Sequence, residues 1–321
     1  MKGPVAANQR PDLKNFFSRN MRRLLSNMPL LGLIPGPDNR PQGISVMMRV
    51  KNEADWIRPS VESIRDIADE IIIVDNGSTD GTYEVLTKMA MLEKGLVKVW
   101  SRPELDHCSL SNFALGQTSF RWVFRWDGDM VAHTTGRYTV SHLRERIMRL
   151  DQRRYYIIYL RHINLAGDLL HQDPKEMVHI EEYIHTNSDK TRYVHPGRFE
   201  AVRFPKYYQP LFWYEPYSFH VNVKPARRML LRRYWEGWME LKDYRSFPAL
   251  EDYVDERIKL EFGTQSWEKA QNICLERLFR DYIPYDPDRF GPYPDVLQPY
   301  LEKGGYRLKY EDGIITGREE L

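Results

Sequence analysis

Glu70-Ile-Ile-Ile-Val-Asp-Asn-Gly-Ser-Thr-Asp-Gly-Thr82 decides how the rest of this chain is read. Four consecutive apolar β-formers without alternation predict a strand covered on both faces, as in a parallel sheet. Turn and cap residues follow at once, so the chain leaves the sheet at Asp75 and enters a helix at Tyr83 to Leu92. Upstream, Ile44-Ser-Val-Met-Met-Arg-Val50 predicts the preceding strand, and Trp56 to Ile67 repeats apolar residues at helical spacing. Downstream, Leu96 to Trp100 predicts a third strand and Leu110 to Thr118 a helix. A fourth strand ends in Trp122-Val-Phe-Arg-Trp-Asp-Gly-Asp-Met130. This alternation is that of a doubly wound α/β sheet, whose ligands bind at the carboxyl ends of the strands.

Three polar clusters fall at such ends: Arg49 to Glu53, Asp75 to Thr79, and Asp127 to Asp129. In the last, Gly128 lets the backbone turn so that two carboxylates face one small volume, a hard-oxygen set suited to Mg²⁺ or Mn²⁺. An isolated Asp-Gly-Asp is more often a polar turn ending a strand; its coincidence with the other two clusters favours a site. No G-x-G-x-x-G follows the first strand and no G-x-x-x-x-G-K-[ST] occurs, which argues against a dinucleotide dehydrogenase and a P-loop NTPase.

Taken together, Ile44 to Glu53, Ile72 to Thr82 and Asp127-Gly-Asp129 resemble a GT-A fold glycosyltransferase of the family 2 type, over roughly residues 43 to 135. The resemblance implies a Rossmann-like, mostly parallel sheet flanked by helices, a nucleotide-sugar donor, most simply a UDP-sugar, and a divalent metal. It implies that Asp75 reads the nucleobase, that Arg49, Lys51 and Asn52 line the same pocket, and that Asp127 faces the ribose. Asp129 would ligate the metal. Relatives often carry Arg-Asn before the last strand, where this chain has Ser111-Asn112. Asn112 is kept as a nucleotide-sugar contact, and the missing Arg passes its task to Arg102, Arg121 or Arg125.

Later in the chain, Tyr217-Ser-Phe-His-Val-Asn-Val223 resembles the segment on which such enzymes present a late histidine, which makes His220 a second metal candidate. An inverting transferase needs a carboxylate to take the acceptor's proton. Glu215, in the aromatic segment Trp213-Tyr-Glu-Pro216, is the expected base, with Glu181 and Glu182 as alternatives. A retaining transferase using the metal and His220, a sugar-nucleotide nucleotidyltransferase, and a non-catalytic sugar-binding protein are the competing readings.

Composition bounds the rest. With 47 Lys and Arg against 45 Asp and Glu, the charge of +2 calls for no nucleic acid. Cys108 and Cys274 form neither a disulfide framework nor a thiolate metal site, and no run is long enough to span a bilayer. Residues 1–42 read as a basic amphipathic arm and linker, residues 43–225 as the GT-A domain, and residues 226–321 as a helical acceptor-side subdomain. In the arm, Leu13, Phe16, Phe17, Met21, Leu24, Leu25 and Met28 share a helical face beside Arg19, Arg22 and Arg23. The expected location is cytoplasmic, with residues 10–28 offering a peripheral contact to the inner membrane face or to another chain. The acceptor is expected to be a glycan, a lipid-linked molecule or a small hydroxyl compound. Pro284 to Pro299, with five prolines, is expected to lack regular structure.

Overall fold

The computed structural model describes residues 21–22, 24–37, 39–195, 200–241, 247–303 and 305–321. Its first half runs β1 (Ile44–Val50), α1 (Ile57–Ser63), β2 (Glu70–Asp75), α2 (Thr82–Leu92), β3 (Val97–Ser101), α3 (His107–Gly116), β4 (Trp122–Asp127), β5 (Met130–Ala132) and α4 (Val140–Met148). Strands β6 (Tyr156–Ala166), β7 (His171–Gln172), β8 (Val178–Thr186), β9 (Arg192–Val194), β10 (Ala201–Arg203) and β11 (Gln209–Asn222) follow. The remainder is α5 (Ala226–Leu241), α6 (Leu250–Phe262), α7 (Trp267–Phe279), β12 (Ile283–Pro284), α8 (Pro287–Phe290), α9 (Gln298–Lys303) and the hairpin β13 (Tyr306–Glu311) and β14 (Ile314–Glu320).

Eight strands form the central sheet in the order β3-β2-β1-β4-β8-β6-β11-β5. β1 pairs parallel with β2 and β4, and β2 parallel with β3. Both faces are buried by alternation. Val46 and Met48 pack with Ile57 and Val61 of α1, with Ile64 just after it, and with Leu143 and Ile147 of α4. Met47, Ile72, Val74 and Val123 face the other way, against Cys108, Leu110 and Ala114 of α3. The mostly parallel α/β sheet anticipated from the strand runs is therefore present. Two strands depart from it: β8 inserts antiparallel between β4 and β6, and β5 pairs antiparallel with β11 at the edge.

The C-terminal segment folds against this sheet. Leu230, Tyr234, Val254, Ile258, Ala270 and Cys274 join α5, α6 and α7 in a helical cluster of their own. Tyr285, Phe290 and Leu297 pack with Ile163, Leu165, Phe219 and Val221 of β6 and β11. Arg318 donates to the carbonyls of Lys224 (2.7 Å) and Gly167 (3.0 Å), tying β14 to the sheet end. The hairpin turn expected at Asp312-Gly313 is there, with φ of 50° and 78°. The proline-rich stretch departs from expectation: it contains α8, a 3₁₀ turn at Asp295–Leu297 and the start of α9. Pro287 occupies the first turn of α8, where a missing N–H costs nothing, after Asp286 caps it. Much of the N-terminal arm, residues 1–20 and Arg23, lies outside the described residues. Of the described part, Met21, Leu24, Leu31 and Leu33 are exposed.

Candidate active site

Strand order brings the carboxyl ends of β1, β2 and β4 side by side, with Val50 opposite Asp75 and Arg49 opposite Asp127. The loops there are tied to one another. Asn52 adopts a left-handed φ of 58°, a conformation that Asn tolerates better than most residues. Its backbone N–H donates to Ser78 Oγ (2.9 Å) and its side-chain oxygen accepts from the Thr79 N–H (2.8 Å). Asp75 is 1% exposed and accepts from the N–H groups of Gly77 (2.9 Å) and Ser78 (3.0 Å) and from the Ser78 hydroxyl. Asn112 clamps β9, bonding both the N–H (2.9 Å) and the carbonyl (3.0 Å) of Tyr193. Asp75, Asn52 and Asn112 thus shape the walls through backbone bonds, while Lys51 is exposed at the rim.

Arg49 is buried against a partner the sequence did not suggest, Glu200. Its guanidinium also donates to Ser111 Oγ (2.7 Å) and lies 3.9 Å from Asp127. Ser111 in turn donates to Glu200 (2.7 Å). The three arginines named as substitutes separate. Arg102 stacks on Phe113 and Arg121 bonds the Gln152 carbonyl, whereas Arg125 pairs with Glu181 and stacks on Tyr183, two residues of the cavity described below.

The second aspartate sits in a buried charge cluster. Asp129 Oδ2 lies 2.7 Å from Lys224 Nζ and 3.3 Å from His220 Nε2. Lys224 also pairs with Glu53, which takes Arg228 on its other oxygen. Gly128 is required here, because a Cβ at that position would stand 2.9 Å from Glu53 Cγ. Burial alone would raise the Asp129 carboxyl, but Lys224 and His220 outweigh it and hold it far below the usual range. Burial, then the charge of Asp129, pushes Glu53 up. The His220 imidazole would be lowered by burial, but Asp129 raises it. Lys224 was absent from the expected site, since an isolated Lys after a strand carries no spacing signal; Glu53 closes the first polar cluster but was given no role there.

Asp129 and His220, the two residues expected to hold a metal, lie side by side. One carboxylate and one imidazole suit a cation such as Mn²⁺ that takes its other ligands from phosphate and water. Among the described residues no group of three or more His, Cys, Asp or Glu completes a protein-only site.

Beside this cluster opens a cavity of about 280 Å³ whose wall includes Asp127, His220, His162, Asn164, Asp173 and Glu181. Glu181 lies between Arg125 and His179 (3.2 Å). Burial would raise its carboxyl, but these cations hold it at about 2. Asp173 receives the Lys175 N–H (2.9 Å) on Oδ1 alone.

Glu215 is not part of this cavity. It pairs with Arg146 (2.9 Å) and lines a second hollow of about 570 Å³ with Arg161, Phe212 and Tyr214. Successive strand residues point to opposite faces, so Arg161 and His162 look to different sides of β6. Glu215 shares the side of Arg161, across the sheet from His220. The sequence distance from Asp129 gave no information about the face, and the irregular register between Trp213 and Ser218 hid it further.

The β3-β2-β1-β4 sheet, mostly parallel and flanked by helices with acidic loops at its strand ends, is an α/β fold of the kind the resemblance implied. Residues 45–159 match the glycosyl transferase family 2 model. Relatives similar to this region include uncharacterized glycosyltransferases of Rickettsia typhi (34% identity over 86 residues, 27% of each chain) and Rickettsia bellii (35% over 86 residues, 27% of each). The match spans little more than a quarter of each relative's length. Among solved structures, S. aureus TarS 1-349 is similar at 13% identity over 85% of this chain and 95% of that one, with a TM-score of 0.40. The same TarS fragment in complex with UDP-GlcNAc gives 14% identity, the same coverage and 0.41.

Proposed function

We propose that this protein transfers a sugar from a nucleotide-sugar donor, a UDP-sugar in the first instance, to a hydroxyl of a glycan, lipid-linked or small-molecule acceptor. The observation that carries the reading is the junction at Gly128. Asp127 opens onto the cavity, while Asp129 is bound to His220 and Lys224 at its margin. That places cationic groups beside a sugar-sized space at the carboxyl ends of parallel strands, where a diphosphate would lie. The family 2 match over residues 45–159 supports the same reaction class.

In this reading the acceptor oxygen attacks the anomeric carbon, the bond from that carbon to the diphosphate oxygen breaks, and the electron pair leaves with the diphosphate. Lys224 and His220 stabilise the charge that develops there. Mn²⁺ or Mg²⁺ held by Asp129 and His220 would add electrostatic stabilisation of the same leaving group. The acceptor's proton goes to Asp173, a carboxylate on the cavity wall. Glu181, held at about 2 by Arg125 and His179, is a poorer proton acceptor. A base on the cavity wall makes the reaction inverting. With Val50-Lys-Asn-Glu53 lacking the Gly-rich basic loop of sugar-nucleotide pyrophosphorylases, nucleotidyl transfer is the less favoured reading.

The test is a thermal-shift panel of UDP, GDP, dTDP and CDP with and without Mn²⁺, followed by NMR of the first product formed from the best donor. One nucleotide raising Tm more than the others, and an inverted anomeric product, is the expected result. No response to any nucleotide would overturn the assignment.

A further inference from the structure

The cavity floor is a polar strip in a sheet that is otherwise apolar. Register sets His179, His162 and Ser218 in one row across β8, β6 and β11, and Asn164 beside His220 in the next. Alternation along β6 sends His162 and Asn164 to the same side, and both line the cavity. Two atoms of this strip, His162 Nε2 and Asn164 Oδ1, are buried and have no hydrogen-bond partner among the described residues. Buried polar atoms are nearly always partnered, so two adjacent exceptions facing one cavity point to a ligand.

Their neighbours fix what that ligand offers. The Asn164 amide N–H₂ donates to the Glu176 carbonyl (2.7 Å), which orients the side chain and leaves its oxygen as a free acceptor. His162 Nδ1 is engaged with Ser218 Oγ (3.1 Å), and its ring packs edge-on to Tyr183, 4.3 Å between centroids. His162 is 1% exposed, so its ring is held in place. Nε2 donates in one tautomer and accepts in the other. A hydroxyl meets both requirements, giving its proton to Asn164 and either accepting from or donating to His162. A phosphate oxygen cannot, because it has no proton for Asn164 Oδ1.

We infer that His162 and Asn164 read neighbouring hydroxyls on the sugar ring of the donor and so determine which sugar this site accepts. This rests on the glycosyl-transfer reading above and extends it to the choice of sugar. A site built to bond a hydroxyl strongly rejects an analogue that lacks it, because its own buried atoms are then left bare.

Calorimetric titration of the full chain with UDP, UDP-glucose, UDP-galactose, UDP-GlcNAc and the single-position deoxy forms of UDP-glucose tests this. His162→Phe and Asn164→Ala are expected to bind UDP within about twofold of wild type while losing the additional affinity conferred by the preferred sugar, a fall of at least roughly tenfold. In the wild type one deoxy donor should show a similar loss, and that donor should lose nothing more in His162→Phe. The deoxy series uses unaltered protein, so it remains decisive if a variant does not fold. Equal loss of UDP and UDP-sugar affinity in the variants, or wild-type affinity that no deoxygenation changes while UDP still binds, would overturn the inference alone. Failure of the wild type to bind any nucleotide of the panel in the preceding section would instead overturn the parent assignment.

Discussion

Lys224 Nζ stands 2.7 Å from Asp129 Oδ2, and the same ammonium reaches Glu53, so one lysine after β11 joins the loop of β1 to the end of β4. Burial, then the charge of Asp129, pushes Glu53 up, and the shared lysine offsets that repulsion. All three side chains are about nine-tenths buried. Lys224→Met is therefore expected to destabilise the fold by roughly 3–5 kcal/mol, the cost of leaving buried charges uncompensated. Urea unfolding measures it. The double variant with Asp129→Asn should lose clearly less than the sum of the two single changes, and simple additivity would show that the pair is not coupled.

Metal-linked nucleotide binding should depend on Asp129. Calorimetry of Asp129→Asn with UDP is expected to give the same affinity with and without Mn²⁺, whereas the wild type gains affinity from the ion. A variant that retains the Mn²⁺ gain would remove Asp129 from the metal site.

Proton transfer separates the two cavities. Asp173→Asn is expected to lower kcat by about 10²–10⁴ with donor KM little changed, as for loss of a general base. Glu215→Gln, on the other side of β6, should stay within a few-fold of wild type. The opposite pattern would return the base to Glu215.

Acid should unfold this protein through its buried histidines. Burial holds His162 at about 3 and His133 and His185 at about 4, below the ordinary 6.5. The unfolded chain therefore takes up protons first as pH falls through 6.5, and stability drops until the folded values are reached. Each group contributes a slope of up to about 1.4 kcal/mol per pH unit in that window. Urea midpoints between pH 7 and pH 5 measure the trend, and His185→Gln should make it shallower. A midpoint independent of pH would contradict it.

The arm should serve location or assembly. Deleting residues 1–34 removes the exposed Met21, Leu24, Leu31 and Leu33 but keeps Pro41, whose carbonyl accepts from the Arg121 N–H (3.0 Å). Turnover of a soluble acceptor is expected to persist, with flotation on anionic liposomes or oligomer size reduced. A folded but inactive truncated protein would place the arm in the active site.

The sequence by itself determined the sheet's first four strands and where their loops meet. Continuous apolar runs such as Ile71 to Val74 can only be buried on both faces, and the polar residues that end each run must then lie at one edge. Local chemistry also determined the Asp312-Gly313 turn and the glycine between the two aspartates. What the chain could not disclose were contacts made across long separations. Glu200 meets Arg49 from 151 residues away, and Lys224 meets Glu53 from 171. Neither has a periodic or motif signature, because a salt bridge depends on distance in space and not on spacing in sequence. Which side of a strand a residue faces near a bulge was equally hidden: the register of β11 breaks twice between Trp213 and Ser218, so counting residues from Glu215 to His220 could not fix their sides, and only the packed sheet sets Glu215 beside Arg146 and His220 beside Asp129.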